Sequence, residues 1–191
     1  YAGDNNLKDG MYDIFAEYLA TVAENLQKLD GIKVQSLDPM NEPSSRYWSA
    51  MSWKQEGCHF DKGDSQSRMM LAAAKALRNH GLNDVIICGT DETSVDDTAF
   101  CYIALSDEAK KVVGRIDTHT YSGSGFERIR NLAQNDSKGL WMSEVDGDGT
   151  AGKDAGEMAS GLWFANKIIS DEKIGDFCGK RLSNSGKTLV F

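Results

Sequence analysis

The chain has 191 residues, 40% of them hydrophobic and 26% charged, enough to bury one core. Its formal net charge of -8 argues against a nucleic-acid partner, which requires clustered Lys and Arg. Its apolar runs fall short of the roughly 18 residues that a membrane span needs.

Tyr1 opens with neither a charged start nor an apolar h-region, so no signal peptide is expected within the sequence. Asp13 to Leu29 carries Ile14, Phe15, Tyr18, Leu19, Val22, Leu26 and Leu29 at the three-to-four spacing of one helical face. Gly31 ends that helix, and Ile32 to Leu37 reads as a strand. A polar, aromatic-containing loop covers Ser44 to Gly63. Gln66 to Asn79 predicts a second helix with Met69 and Met70 in the core, and Gly81 is suited to stop it. Val85 to Gly89 is a short buried strand. Asp96 and Asp97 favour the start of a helix that continues from Phe100 to Leu105, and Asp107 to Val113 forms a further turn or helix. Strand Ile116 to Tyr121, helix Phe126 to Ala133 and strand Leu140 to Val145 follow. After a glycine-rich loop from Gly147 to Gly156, Glu157 to Ile169 forms an amphipathic helix. Four scattered cysteines lack zinc-ligand spacing and are expected to be mostly free thiols, with Cys88 in a strand and Cys101 on a helix face.

Strands alternating with helices imply an α/β fold with parallel strands and right-handed crossovers. No glycine-rich phosphate loop follows a strand, which favours a (β/α)8 barrel over an open nucleotide-binding sheet. A barrel typically needs about 250 residues and eight strands. The four strands here predict a partial (β/α)8 barrel over residues 1–174, lacking three first units and the eighth strand. The Gly-, Ser- and Lys-rich tail, residues 175–191, reads as a remnant of the strand-eight region or of a β side domain.

The chemistry concentrates after strands, where barrel active sites lie. Asn41-Glu42-Pro43 follows the first strand and Glu144 ends the last. Glycosidic cleavage needs a proton donor on one carboxyl and an ionised partner on the other, with pKa values held apart by their surroundings. Asp91 and Glu92 end the second strand, and His119 and Tyr121 the third.

The runs Leu37-Asp38-Pro39-Met40-Asn41-Glu42-Pro43, Trp53-Lys54-Gln55-Glu56-Gly57-Cys58 and Trp141-Met142-Ser143-Glu144 resemble glycoside hydrolase family 30, a retaining (β/α)8-barrel family, and its endo-β-1,6-galactanase-like members in particular. The resemblance spans Leu7 to Ile169. It implies Glu42 as acid/base, Glu144 as nucleophile, strands four to seven of the barrel, and Asn41 on the sugar 2-hydroxyl. His119 and Tyr121 would orient the nucleophile or touch substrate. It also implies a secreted or cell-surface enzyme cleaving a β-linked polysaccharide, galactan above all, without a cofactor or metal.

Other readings stand beside these. Trp48 and Trp53 suit stacking on sugar rings or packing within the loop, and Glu56 suits sugar hydroxyls or an arginine. His119 and Tyr121 fit an ordinary half-buried pair. Asp117-x-His119 allows a metal pair, and with it a metal-dependent barrel hydrolase. An inactive carbohydrate-binding remnant of the barrel is a further alternative. Asp146 and Asp148 read as a solvated turn.

Overall fold

The computed structural model describes residues 5–48, 52–54, 57–145 and 156–175. Its order is helix α1 (Tyr12–Asp30), strand β1 (Ser36–Leu37), α2 (Asp64–Asn79), β2 (Ile86–Ser94), α3 (Val95–Ala104), α4 (Asp107–Val112), β3 (Val113–Ser122), α5 (Phe126–Asn135), β4 (Gly139–Glu144) and α6 (Met158–Gly175). The four strands are parallel in the order β1-β2-β3-β4 and curl into half a barrel with helices flanking it. Parallel pairing of each strand with the next in sequence is what repeated right-handed crossovers produce. The tail from residue 176 lies outside the described residues, as does the Asp146 and Asp148 turn.

The core lies between sheet and helices. Met69 and Met70 of α2, Ile116 of β3 and Ile129 of α5 are fully buried, with Tyr102 of α3 beside them. Cys88 and Cys101 are buried as free thiols, Cys58 is free and partly covered, and Cys178 is outside the described residues. No helix among the described residues is long and apolar enough to cross a membrane.

Three local differences from expectation have physical causes. Helix α1 buries Tyr12, Ala16, Ala20 and Ala23 against α2, whereas Ile14, Tyr18 and Leu29 stay exposed. Small side chains allow close helix approach, so the alanine stripe wins the contact. Only Ser36 and Leu37 of the first expected strand pair, matching Ile86 and Ile87. Strand β2 starts a residue late and continues to Ser94, so Asp91 and Glu92 lie within it rather than after it. Its ladder with β3 is interrupted by register shifts around both residues, and Asp91 has a φ of 52°, in the left-handed region.

Glu92 ties the loop after β1 to this scaffold. It is fully buried, and its carboxylate accepts from the Ser44 backbone N–H at 3.1 Å, the Ser44 hydroxyl at 2.7 Å and Gln66 Nε2 at 3.0 Å. Burial pushes its pKa up while these donors pull against that. Glu92→Gln would turn an NH2 group toward these donors. It is expected to cost about 1–3 kcal/mol of stability, checked by denaturant unfolding of the full protein.

Candidate active site

Five residues after β1, the chain folds back sharply at Glu42. Its φ of 45° is unusual for a side-chain-bearing residue. Three contacts hold it: the Glu42 N–H donates to the Asp91 carbonyl at 2.9 Å, and the Glu42 carbonyl accepts from Ser45 N–H and Trp48 Nε1, both at 3.0 Å. Trp48 is only 3% exposed. Its ring is therefore spent on propping the loop, and the expected sugar-stacking face is not offered to solvent. Gly57 completes the prop, because a Cβ there would lie 2.5 Å from Trp48 Cε2 and 2.9 Å from the Asn41 carbonyl oxygen.

The Glu42 side chain is buried and points across the open half-barrel. His119 of β3 places Nδ1 2.9 Å from Glu42 Oε1, and the Tyr47 hydroxyl donates to Oε2. Glu144 closes β4 with a half-exposed side chain. Its Oε1 accepts from the Tyr121 hydroxyl at 3.0 Å, and its Oε2 lies 3.7 Å from His119 Nε2. One ligand atom each from Glu42, His119 and Glu144 lie within 4.8 Å of one another. The curl of the sheet thus brings together residues 102 positions apart in sequence (144 less 42).

Charge dominates this cluster. Burial alone pushes His119 toward the neutral form, but hydrogen bonding and charge from Asp91 and Glu42, with the charge of Glu144, raise its pKa to about 10. Burial pushes the Glu42 carboxyl up, yet the hydrogen bonds from His119 and Tyr47 outweigh it and hold the group below the usual glutamate range. The expected elevation of one carboxyl is therefore not produced at Glu42 in this arrangement. The ionised form prevails because an imidazolium sits beside it.

Among the described residues, Asp117 and His119 fall in different acidic clusters. Both Asp117 oxygens accept from Arg115, at 2.5 and 2.6 Å, and the carboxyl gathers with Asp38 and Asp91 instead. Burial raises the Asp117 pKa, and burial with the charges of Asp91 and Asp117 raises that of Asp38 well above normal.

Of the remaining candidates, Asn41 is partly buried beside Glu42. Trp53 is 87% exposed, with Lys54 Nζ 5.8 Å from its ring and 4.5 Å from that of Tyr47. Glu56 lies outside the described residues. The structure adds Tyr47 and Ser143, and it brings Asp91, expected at a strand end, beside His119. The Ser143 hydroxyl donates to Asp91 Oδ1, which is also 3.4 Å from His119 Nε2. Only the hydroxyl-rich loop composition around Tyr47 hints at its contact.

Known proteins are similar to this chain in sequence and in fold. The model of O-glycosyl hydrolase family 30 matches residues 1–96. An endo-beta-1,6-galactanase of Hypocrea rufa is 32% identical over 151 residues, covering 78% of this chain and 31% of that protein. An exo-beta-1,6-galactobiohydrolase of Bifidobacterium longum subsp. longum is 29% identical, covering 79% of this chain and 12% of that protein. The chain thus spans under a third of the length of either relative. The fold is similar to a glycoside hydrolase family 30 subfamily 8 xylanase from Clostridium acetobutylicum, with a TM-score of 0.62 at 19% identity over 90% of this chain and 39% of the xylanase. It is also similar to a family 30 endoxylanase from Clostridium papyrosolvens, with a TM-score of 0.57 at 17% identity over 90% of this chain and 39% of that one.

Proposed function

The chain belongs to O-glycosyl hydrolase family 30, and from that premise we propose that it supplies both catalytic carboxyls of a retaining endo-glycosidase. One observation carries the proposal. Glu42 and Glu144, from loops and strands at opposite edges of the sheet, offer carboxylate oxygens within 4.8 Å of each other. Retaining glycosidases hold their carboxyls about 5–5.5 Å apart, whereas inverting ones leave about 6.5–9.5 Å for a water.

In the first displacement, Glu144 attacks the anomeric carbon as the glycosidic C–O bond breaks, and Glu42 gives its proton to the departing oxygen. In the second, water attacks that carbon, its proton passes to Glu42, and the bond to Glu144 breaks with its electron pair returning to the carboxylate. The proton for the first step is stored close by. Transfer from His119 Nδ1 to Glu42 Oε1, across 2.9 Å, leaves a neutral imidazole and the protonated acid. Asn41, His119 and Tyr121 line the reacting centre, and the open face of Trp53 serves as a sugar platform. Strands β1 to β4 take the places of barrel strands four to seven.

The substrate is a β-linked polysaccharide. The names of the two sequence relatives favour β-1,6-galactan, and the enzyme acts in the secreted or cell-surface compartment where such glycans lie. The deciding experiment is product stereochemistry: NMR of the full protein acting on a β-1,6-galactan should show a β-anomer first. An α-anomer appearing first would overturn the retaining mechanism. Turnover should also survive a metal chelator, since no step uses a cation. Loss that is restored by a divalent metal would favour metal-dependent hydrolysis instead.

A further inference from the structure

Tyr47 has no part in the two displacements described above, yet it is the second donor to Glu42. Its hydroxyl donates to Glu42 Oε2 and also lies 3.1 Å from Thr93 Oγ1, which in turn is 3.1 Å from Ser45 Oγ. The ring is fixed by an edge contact with buried Trp48, centroids 4.7 Å apart at 78°, and by Lys54 above it. Its body is therefore held while its O–H can turn between two acceptors.

We infer that Tyr47 is a positioning residue that follows the charge of Glu42, donating to it while ionised and turning to Thr93 when Glu42 carries a proton. An ionised carboxylate is the better acceptor, and a hydrogen bond to a charged group is stronger than one between neutral groups. Once Glu42 is protonated, that preference disappears and the Thr93 hydroxyl takes over. Tyr47 thus favours the form of Glu42 that accepts a proton from water in the second displacement. The inference rests on the acid/base reading of Glu42.

Among the described residues, the charged groups around this unit are few. His119 faces Glu42 from β3, and Lys54 faces the Tyr47 ring from the same loop. Asp91 of β2 and Glu144 of β4 face His119. Tyr47→Phe removes one donor from the ionised state only. The local electrostatics run the same way: the Tyr47 hydrogen bond is one of the contacts that favour the ionised Glu42 carboxyl.

The test is pre-steady-state and steady-state kinetics of the full protein with aryl glycosides of graded leaving group. The limb of the pH profile that belongs to Glu42 is identified by its disappearance in Glu42→Gln. In Tyr47→Phe that limb should move up by about one pH unit, so that at pH below the limb hydrolysis of the glycosyl-enzyme slows roughly tenfold while its formation, which uses protonated Glu42, does not slow. Tyr47→3-fluorotyrosine keeps the hydroxyl, makes it a better donor, and should move the limb down. Equal slowing of both steps with the limb unmoved would overturn the inference and leave Tyr47 a prop for the loop. A Glu42→Ala variant with no leaving-group dependence would instead overturn the acid/base reading beneath it.

Discussion

Glu144→Ala in the full protein is expected to lower turnover by roughly 10⁴-fold or more, because no other group described in the site is placed to form the covalent intermediate. The side chain is half exposed and contributes little to the core, so the fold should be unaffected. Its loss leaves a space opposite the leaving group, bordered by the Tyr121 hydroxyl, which sits 3.0 Å from Glu144 Oε1 in the native site. Azide fits such a space. It can attack the anomeric carbon while Glu42 protonates the departing oxygen. One displacement replaces two, so the expected product is an α-glycosyl azide from a β-glycoside, visible by NMR. Unchanged turnover would remove Glu144 from the mechanism. A β-glycosyl azide would mean that a different carboxylate is the nucleophile.

The position of several of these residues at or after strands is legible in the amino-acid sequence, and the reason is periodicity. Glu42 and Glu144 follow or end strands that begin and stop at recognisable breaks, and a barrel places all strand ends on one rim. His119 and Tyr121 are legible on the same grounds. What periodicity does not carry depends on contacts between distant segments. Strand β2 continues past Asp91 because β3 supplies a pairing partner for Glu92, Thr118, although the propensities of both acidic residues favour a turn. Helix α1 buries alanines because α2 approaches closely, a fact invisible to a scale that ranks isoleucine above alanine. Trp48 suits stacking and packing equally by composition, and Gly57 together with the Glu42 carbonyl decides for packing. The downward shift at Glu42 needs a charged His119 from another strand, itself held charged by Asp91 and Glu144.

That shift makes Glu42→Ala the more revealing substitution, although its expected loss on natural substrate is smaller, about 10²–10⁴-fold. In the proposed mechanism an acid held in its ionised form by His119 and Tyr47 draws its proton from the imidazolium before it assists departure. Assistance matters only when the leaving oxygen is basic. Aryl glycosides with acidic phenols depart unaided, so their first step in Glu42→Ala should remain close to native, and the glycosyl-enzyme should accumulate because the base for water is also gone. Polysaccharide and poor aryl leaving groups should bear the full loss. Azide again separates the roles. Here it attacks the glycosyl-enzyme without needing a base, restores turnover of activated substrates, and gives a β-glycosyl azide, the opposite anomer from Glu144→Ala. Opposite anomers from the two variants require that the two carboxylates face opposite sides of the same anomeric carbon. If both gave the same azide, or if Glu42→Ala slowed good and poor leaving groups alike, the proximity of the two carboxylates would be structural, with His119 neutralising buried charge.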